Sequence, residues 1–160
     1  MDLSGKKILL GLTGGIACYK SAEFARAMIK EGATVQVVMT DGAKEFITPL
    51  TMQALTGHTV YSNQWDDQPD NKMPHIDLTR QADAVVIAPC TANFMSKLAN
   101  GLGDDLLSTL CLARPAHIPF IVAPAMNAEM WKKPATQRNL AQIKEDGALI
   151  MGPASGFQAC

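Results

Sequence analysis

Three glycine- and proline-punctuated segments carry residue types that can do chemistry. Gly11-Leu12-Thr13-Gly14-Gly15-Ile16 follows an apolar run and opens into a helical stretch. The unpaired N–H groups and the dipole of such a helix start favour an anion, and a phosphate fits there. Glycines at 11, 14 and 15 do not match the dinucleotide fingerprint. The second apolar run ends in Met39-Thr40, with Asp41 a step later, so no acid is clearly placed for a ribose hydroxyl. A mononucleotide therefore fits better than a dinucleotide, with Thr13, Thr40 and the backbone amides of Gly14, Gly15 and Ile16 around its terminal phosphate. The same glycines would equally serve a turn that merely packs helix on strand.

The second segment is Pro89-Cys90-Thr91-Ala92-Asn93, where small residues let a planar ring approach the backbone and Thr91 and Asn93 can hydrogen-bond its polar edge. The third is Pro124-Ala125-Met126-Asn127-Ala128-Glu129-Met130-Trp131. Proline at the end of a strand simply stops the ladder. It does not explain two strand ends that each continue with small residues and an Asn. Asp104 and Asp105 resemble a catalytic pair, yet after Gly103 at a helix start they are more simply capping residues.

These segments need a scaffold, and the apolar runs supply it. Lys7 to Leu12, Thr34 to Met39, Ala84 to Ala88, Phe120 to Ala123 and Ala148 to Met151 read as buried strands without polar alternation, the pattern of a parallel sheet covered on both faces. Helices are predicted at Ile16 to Glu31, with Ala17, Phe24, Ala25 and Met28 on one face, and around Thr51 to Leu55, Ala92 to Asn100, Leu106 to Ala113 and Thr136 to Asp146. The order predicts a doubly wound α/β domain, a three-layer flavodoxin- or Rossmann-like fold whose ligands lie beyond the carboxyl ends of the strands. Ser62 to Pro74 is polar and turn-rich and reads as a surface loop.

At 160 residues the chain has the length of one ordinary domain. A formal charge of −1 gives no reason to propose a nucleic-acid or anionic-membrane partner. No apolar run approaches the roughly 20 residues that span a bilayer, and Met1 to Lys7 is polar, so a cytoplasmic protein is expected. Cys18, Cys90, Cys111 and Cys160 have no CxxC spacing, which indicates neither a zinc site nor a dithiol pair.

Taken together, GLTGGIACYK at 11 to 20, His75-Ile76-Asp77-Leu78, PCTANF at 89 to 94, GDDLLST at 103 to 109, PAMNAEMW at 124 to 131 and GFQAC at 156 to 160 resemble the homo-oligomeric flavin-containing cysteine decarboxylases, and within them the phosphopantothenoylcysteine decarboxylases of coenzyme A biosynthesis. The resemblance covers the whole chain. It implies that Gly14 to Ile16, Thr40, Cys90 to Asn93 and Ala125 surround FMN, while His75, Asn127, Met130 and Cys160 face a phosphorylated cysteine substrate. The chain departs from the family at Cys90, where Ala or Ser is usual, and at Phe94, often Thr. The resemblance further implies a site between subunits of a trimer, or of a multiple of trimers up to a dodecamer. In bacterial relatives the Ala-Cys pair is followed by Gly, a substrate-covering flap and a domain that ligates cysteine to phosphopantothenate, so a longer parent protein is expected.

The chemistry explains why such parts are needed. Loss of CO2 from a cysteine carboxylate leaves two electrons on the α-carbon, with no carbonyl or imine to receive them. Flavin makes a sink by oxidising the β-carbon, so that a thioaldehyde accepts the electrons as an enethiolate, and the cycle closes by returning hydride and a proton. By resemblance Cys160 is the acid for that proton, since an unperturbed thiol is mostly protonated at neutral pH. His75 suits either taking a substrate proton or anchoring the carboxylate. Asn127 offers an amide that donates to the carboxylate and accepts from the substrate N–H. Met130 and Trp131 can wall off an apolar region for CO2 release, while His58 and His117 lack any such context. Rival readings are a peptidyl-cysteine decarboxylase, a flavin prenyltransferase and a non-catalytic flavin-binding regulatory subunit.

Overall fold

Residues 1–63 and 74–153 are described by the computed structural model, with the backbone alone for 74–76. Each apolar run becomes a parallel strand: β1 Lys7–Leu12, β2 Thr34–Met39, β3 Ala84–Cys90, β4 Phe120–Pro124 and β5 Leu149–Ile150, in the order β2-β1-β3-β4-β5. Leu10 of β1 sits in register with Val37 on one side and Val86 on the other. The chain winds outward from β1 to β2 and then returns past β1 to β3, which puts the topological switch point between β1 and β3.

Both sheet faces are covered, so alternate residues enter two different cores and the strands read as continuously apolar. Leu9, Val85, Ile87 and Val122 pack with Phe94, Met95, Leu107, Leu110 and Ile143. Leu10, Leu12, Val35, Val37 and Val86 pack with Cys18, Ala25 and Met52. Helices α1 (Cys18–Lys30) and α2 (Pro49–Thr56) thus cover one face, and α4 (Ala92–Asn100), α5 (Leu106–Ala113) and α7 (Pro134–Glu145) the other. Gly11 permits the tightest of these contacts. A Cβ there would stand 2.6 Å from Leu107 Cδ1 and 2.8 Å from Ile87 Cδ1, so a larger residue would have to displace the ends of these two core side chains.

α4 and α5 have the predicted bounds because side chains cap them. Thr91 Oγ1 accepts from the Phe94 N–H at 3.1 Å. Asp105 Oδ1 accepts from the Ser108 N–H at 2.7 Å while Ser108 Oγ accepts from the Asp105 N–H at 3.2 Å, a reciprocal capping box. The Asp105 reading as a cap is correct.

Elsewhere the boundaries move. Helix α1 starts at Cys18, not Ile16, because the preceding glycines form a turn in which the Gly15 N–H donates to the Thr13 carbonyl at 2.9 Å. Its buried face is Cys18, Ser21 and Ala25, with Phe24 and Met28 half-buried; Ala17 lies outside the helix. Helix α7 begins at Pro134, and the last strand shortens to two paired residues. Two short helices were not expected, α3 (Pro74–Arg80) and α6 (Ala128–Lys132). Pro74 therefore opens a helix instead of closing a loop, while residues 64–73 of the expected loop lie outside the described residues. Among the described residues no helix is long and apolar enough to cross a membrane.

Candidate functional site

The loops that follow β1, β2, β3 and β4 converge on a cleft of about 890 Å³ at the carboxyl edge of the sheet. Gly14, Gly15 and Ile16 line it from β1, Thr40 and Gly42 from β2, Thr91, Ala92 and Asn93 from β3, and Ala125, Asn127 and Met130 from β4. The predicted segments are brought together, and at the switch point where this topology opens a crevice.

The β1 loop is held from three sides. Thr13 Oγ1 donates to the Pro89 carbonyl at 2.6 Å and accepts from the Thr91 N–H at 3.0 Å. Cys18 Sγ donates to the Thr13 carbonyl at 3.2 Å, and Ser21 Oγ to the Ala88 carbonyl at 2.5 Å. Thr13, expected to bind phosphate, is buried and acts as a strut between β1 and β3, because both its hydroxyl proton and one lone pair are already engaged. The loops after β1 and β2 touch through glycines: a Cβ at Gly14 would lie 3.0 Å from the Cα and carbonyl carbon of Gly42. Thr40 Oγ1 accepts from the Ala43 N–H at 3.2 Å and fixes the turn after β2. The N–H groups of Gly14 and Ile16 find no acceptor among the described residues and remain available to an anion.

The β3 loop divides by face. Asn93 is exposed on the cleft, and Thr91, having accepted from Phe94, keeps its hydroxyl proton free to donate. Cys90, expected against a ring, instead points into the core and is fully buried, as is Phe94. Burial pushes the Cys90 thiol far above the ordinary range, so it stays neutral. Pro89 contributes its carbonyl to Thr13 and lies beneath Gly15, where an added Cβ would meet its Cγ at 3.9 Å. The floor is thus built of small residues, with the larger ones turned inward.

Past β4, the Ala125 N–H donates to the Cys90 carbonyl at 3.0 Å, leaving its methyl side chain toward the cleft. Asn127 caps α6, its Oδ1 accepting from the Met130 N–H at 2.9 Å. The cap uses one lone pair of Oδ1, so a second lone pair and the Nδ2 donor both remain for a ligand. Met130 lines the cleft and is exposed, while Trp131 turns toward the core. His75 falls at the start of α3, its side chain outside the described residues, and Cys160 also lies outside them.

Two cleft residues have no local sequence signature, Phe46, 53% exposed, and Lys97; Asp104, read with Asp105 as a pair at a helix start, also lines the cleft. Lys97 Nζ donates to Asp105 Oδ2 at 2.7 Å and contacts Asp104 Oδ1 at 3.1 Å. Burial alone would raise the Asp105 carboxyl, but hydrogen bonds from Lys97 and Ser108 outweigh it and hold it below the usual carboxylate value. The bond to Asp105 pushes Lys97 up in turn. A depressed carboxylate contributes stability above its unfolded value, about pH 4, and loses it as pH falls through the folded value. Asp105→Asn keeps the cap but cannot titrate, so its melting temperature is expected to fall less than the wild type's between pH 5 and pH 2. Equal slopes in paired melts would remove this role from Asp105.

A planar heterocycle with a phosphate tail fits these features. N–H groups without an acceptor among the described residues mark the phosphate end, Gly15 and Ala92 leave a flat floor, and Asn93, with no side-chain partner among those residues, offers its amide to a ring edge. The sequence model of the Flavoprotein family matches residues 1–160. The chain is 53% identical over 159 residues to the coenzyme A biosynthesis bifunctional protein CoaBC of Vibrio cholerae, covering 99% of this chain and 39% of that protein. With the Escherichia coli protein of the same name it shares 49% over 160 residues, again 39% of the relative's length. Among solved structures, the FMN-dependent cysteine decarboxylase SpaF superposes with a TM-score of 0.84 at 36% identity, covering 92% of this chain and 84% of that one. A PPC decarboxylase mutant complexed with pantothenoylaminoethenethiol gives a TM-score of 0.80 at 32% identity, covering 93% and 82%.

Proposed function

Because the chain belongs to the flavoprotein family, we propose that it binds FMN and decarboxylates 4'-phospho-N-pantothenoylcysteine to 4'-phosphopantetheine and CO2. The observation that carries the reading is the convergence of four strand-end loops on one cleft whose floor is small and whose β1 end presents N–H groups with no acceptor among the described residues. Similarity to CoaBC proteins over 99% of the chain supports the substrate class. This chain spans about two fifths of their length, and the second function of these bifunctional proteins is not assigned to it.

FMN, when bound, supplies a two-electron acceptor and donor beside the substrate's sulfur-bearing carbon. The rest of the work falls to side chains. Gly14 and Ile16 N–H groups hold the cofactor phosphate, and Thr91 and Asn93 fix the polar edge of the ring. Asn127 Nδ2 donates to the substrate carboxylate and orients the bond to be broken, with Oδ1 kept on Met130. Met130 walls that carboxylate off from water, which favours departure of neutral CO2. His75 takes or holds the substrate proton, and the Cys160 thiol returns a proton to carbon at the end of the cycle.

In this reading the protein is cytoplasmic and works as a trimer or a multiple of trimers, with His75 and the Asn127-to-Met130 segment contributed by neighbouring copies. The test is direct. The purified protein is titrated with FMN and followed by its visible spectrum, and CO2 release is then compared between phosphopantothenoylcysteine and a peptide ending in cysteine. A flavin spectrum with turnover of the phosphorylated substrate is expected. Turnover of the peptide alone would move the chain to the peptidyl-cysteine decarboxylases, and a colourless protein that refuses excess FMN would end the proposal.

A further inference from the structure

Lys97 is the one cationic side chain among the described residues that line the cleft, which three carboxylates also line, Asp41, Asp104 and Asp105. Asp41 has its own partner, Lys44, at 3.7 Å. Asp105 is engaged twice, as the α5 cap and with Lys97. Asp104 caps nothing: its side chain is 63% exposed and its ion-pair partner is Lys97, whose own side chain is only 18% exposed. A phosphate monoester brings close to two further negative charges into this cleft. Without the ammonium, the two adjacent carboxylates would oppose any anion that enters.

We infer that Lys97 is a positioning residue that balances the charge of the cleft, by holding Asp104 and Asp105 so that an anionic cofactor can bind and be reduced. The inference rests on the FMN reading above. It separates two jobs within one cluster. The Asp105 bond ties α4 to the cap of α5 and belongs to folding, whereas the Asp104 contact, 3.1 Å long, engages an exposed carboxylate that caps no helix. Like charges within a partly enclosed site interact strongly enough to alter ligand affinity, and salt weakens the effect.

The experiment measures FMN dissociation constants and the midpoint potential of bound FMN in purified protein, at low and at high salt, with thermal melts alongside. Lys97→Met is expected to raise the dissociation constant about tenfold at low salt and to shift the potential to more negative values. Lys97→Arg is expected to restore both. Asp104→Asn should do the reverse of Lys97→Met, tightening FMN and raising the potential, and Lys97→Met with Asp104→Asn should return toward wild type. Should Lys97→Met not fold, Asp104→Asn decides, because its exposed side chain caps no helix. Unchanged or weaker FMN binding in Asp104→Asn overturns the inference, as does a Lys97→Met protein that melts lower yet binds FMN with wild-type affinity and potential. A wild-type protein that fails to bind FMN would instead count against the proposed function.

Discussion

His75→Asn is expected to slow CO2 release by about 10²- to 10⁴-fold, the usual worth of a positioned proton-transfer group, while the visible spectrum of bound FMN stays as in the wild type. The side chain is proposed to move or hold a substrate proton, and an imidazole suits this because its ordinary pKa lies near neutrality. Asparagine keeps a hydrogen-bonding amide of similar reach but has no titratable nitrogen. Steady-state kinetics separate the two roles. A fall in kcat at constant KM identifies proton transfer, whereas a rise in KM alone identifies an anchor for the carboxylate. Normal turnover in the variant would remove His75 from the site altogether.

The second large effect is expected at Gly14. Its position 3.0 Å from the Gly42 backbone, measured to an added Cβ, leaves no flexible side chain to yield, so Gly14→Val must part the loops after β1 and β2. Overpacking of this kind costs on the order of 3 kcal/mol at its upper end, or about 10²-fold in an FMN dissociation constant if the strain falls on the bound form. Gly15→Ala is the control. An added Cβ there meets Thr91 Cγ2 at 3.7 Å and Pro89 Cγ at 3.9 Å, both ordinary contacts, so the fold is expected to accept it. If Gly14→Val binds FMN as tightly as the wild type, the glycine pair does not shape the phosphate end.

Much of the scaffold was legible because its signals are local. Thr91 and Asp105 announce helix starts, and Gly101 follows the end of α4 in the left-handed conformation that the next turn needs. Continuous apolar runs named the strands for the same reason that they are buried on both faces. What escaped was short or non-local. Helix α6 has five residues and α3 seven, too few for a helical period to rise above chance, although Pro74 at a first helical position was a usable sign. Which way a side chain turns at the end of a strand was not legible either. Cys90 and Thr91 are neighbours, yet one enters the core and the other the cleft, an outcome set by the packing of α5 and the bond that the Thr91 N–H donates to Thr13 Oγ1. Asn127 shows chemistry and architecture competing for one group. Its amide was readable as a ligand, but its place three residues before Met130 also makes it a cap. Lys97 and Phe46 reach the cleft only through tertiary folding.

The cleft draws on residues from Thr13 to Met130, taken from segments far apart in the chain. Any ligand it holds is therefore a ligand of the completed topology, and occupancy feeds back on the equilibrium between native and unfolded chains. At a free ligand concentration a hundredfold above its dissociation constant the native state gains about 2.7 kcal/mol. Supply of the cofactor during expression would then govern how much of the polypeptide survives cellular proteolysis.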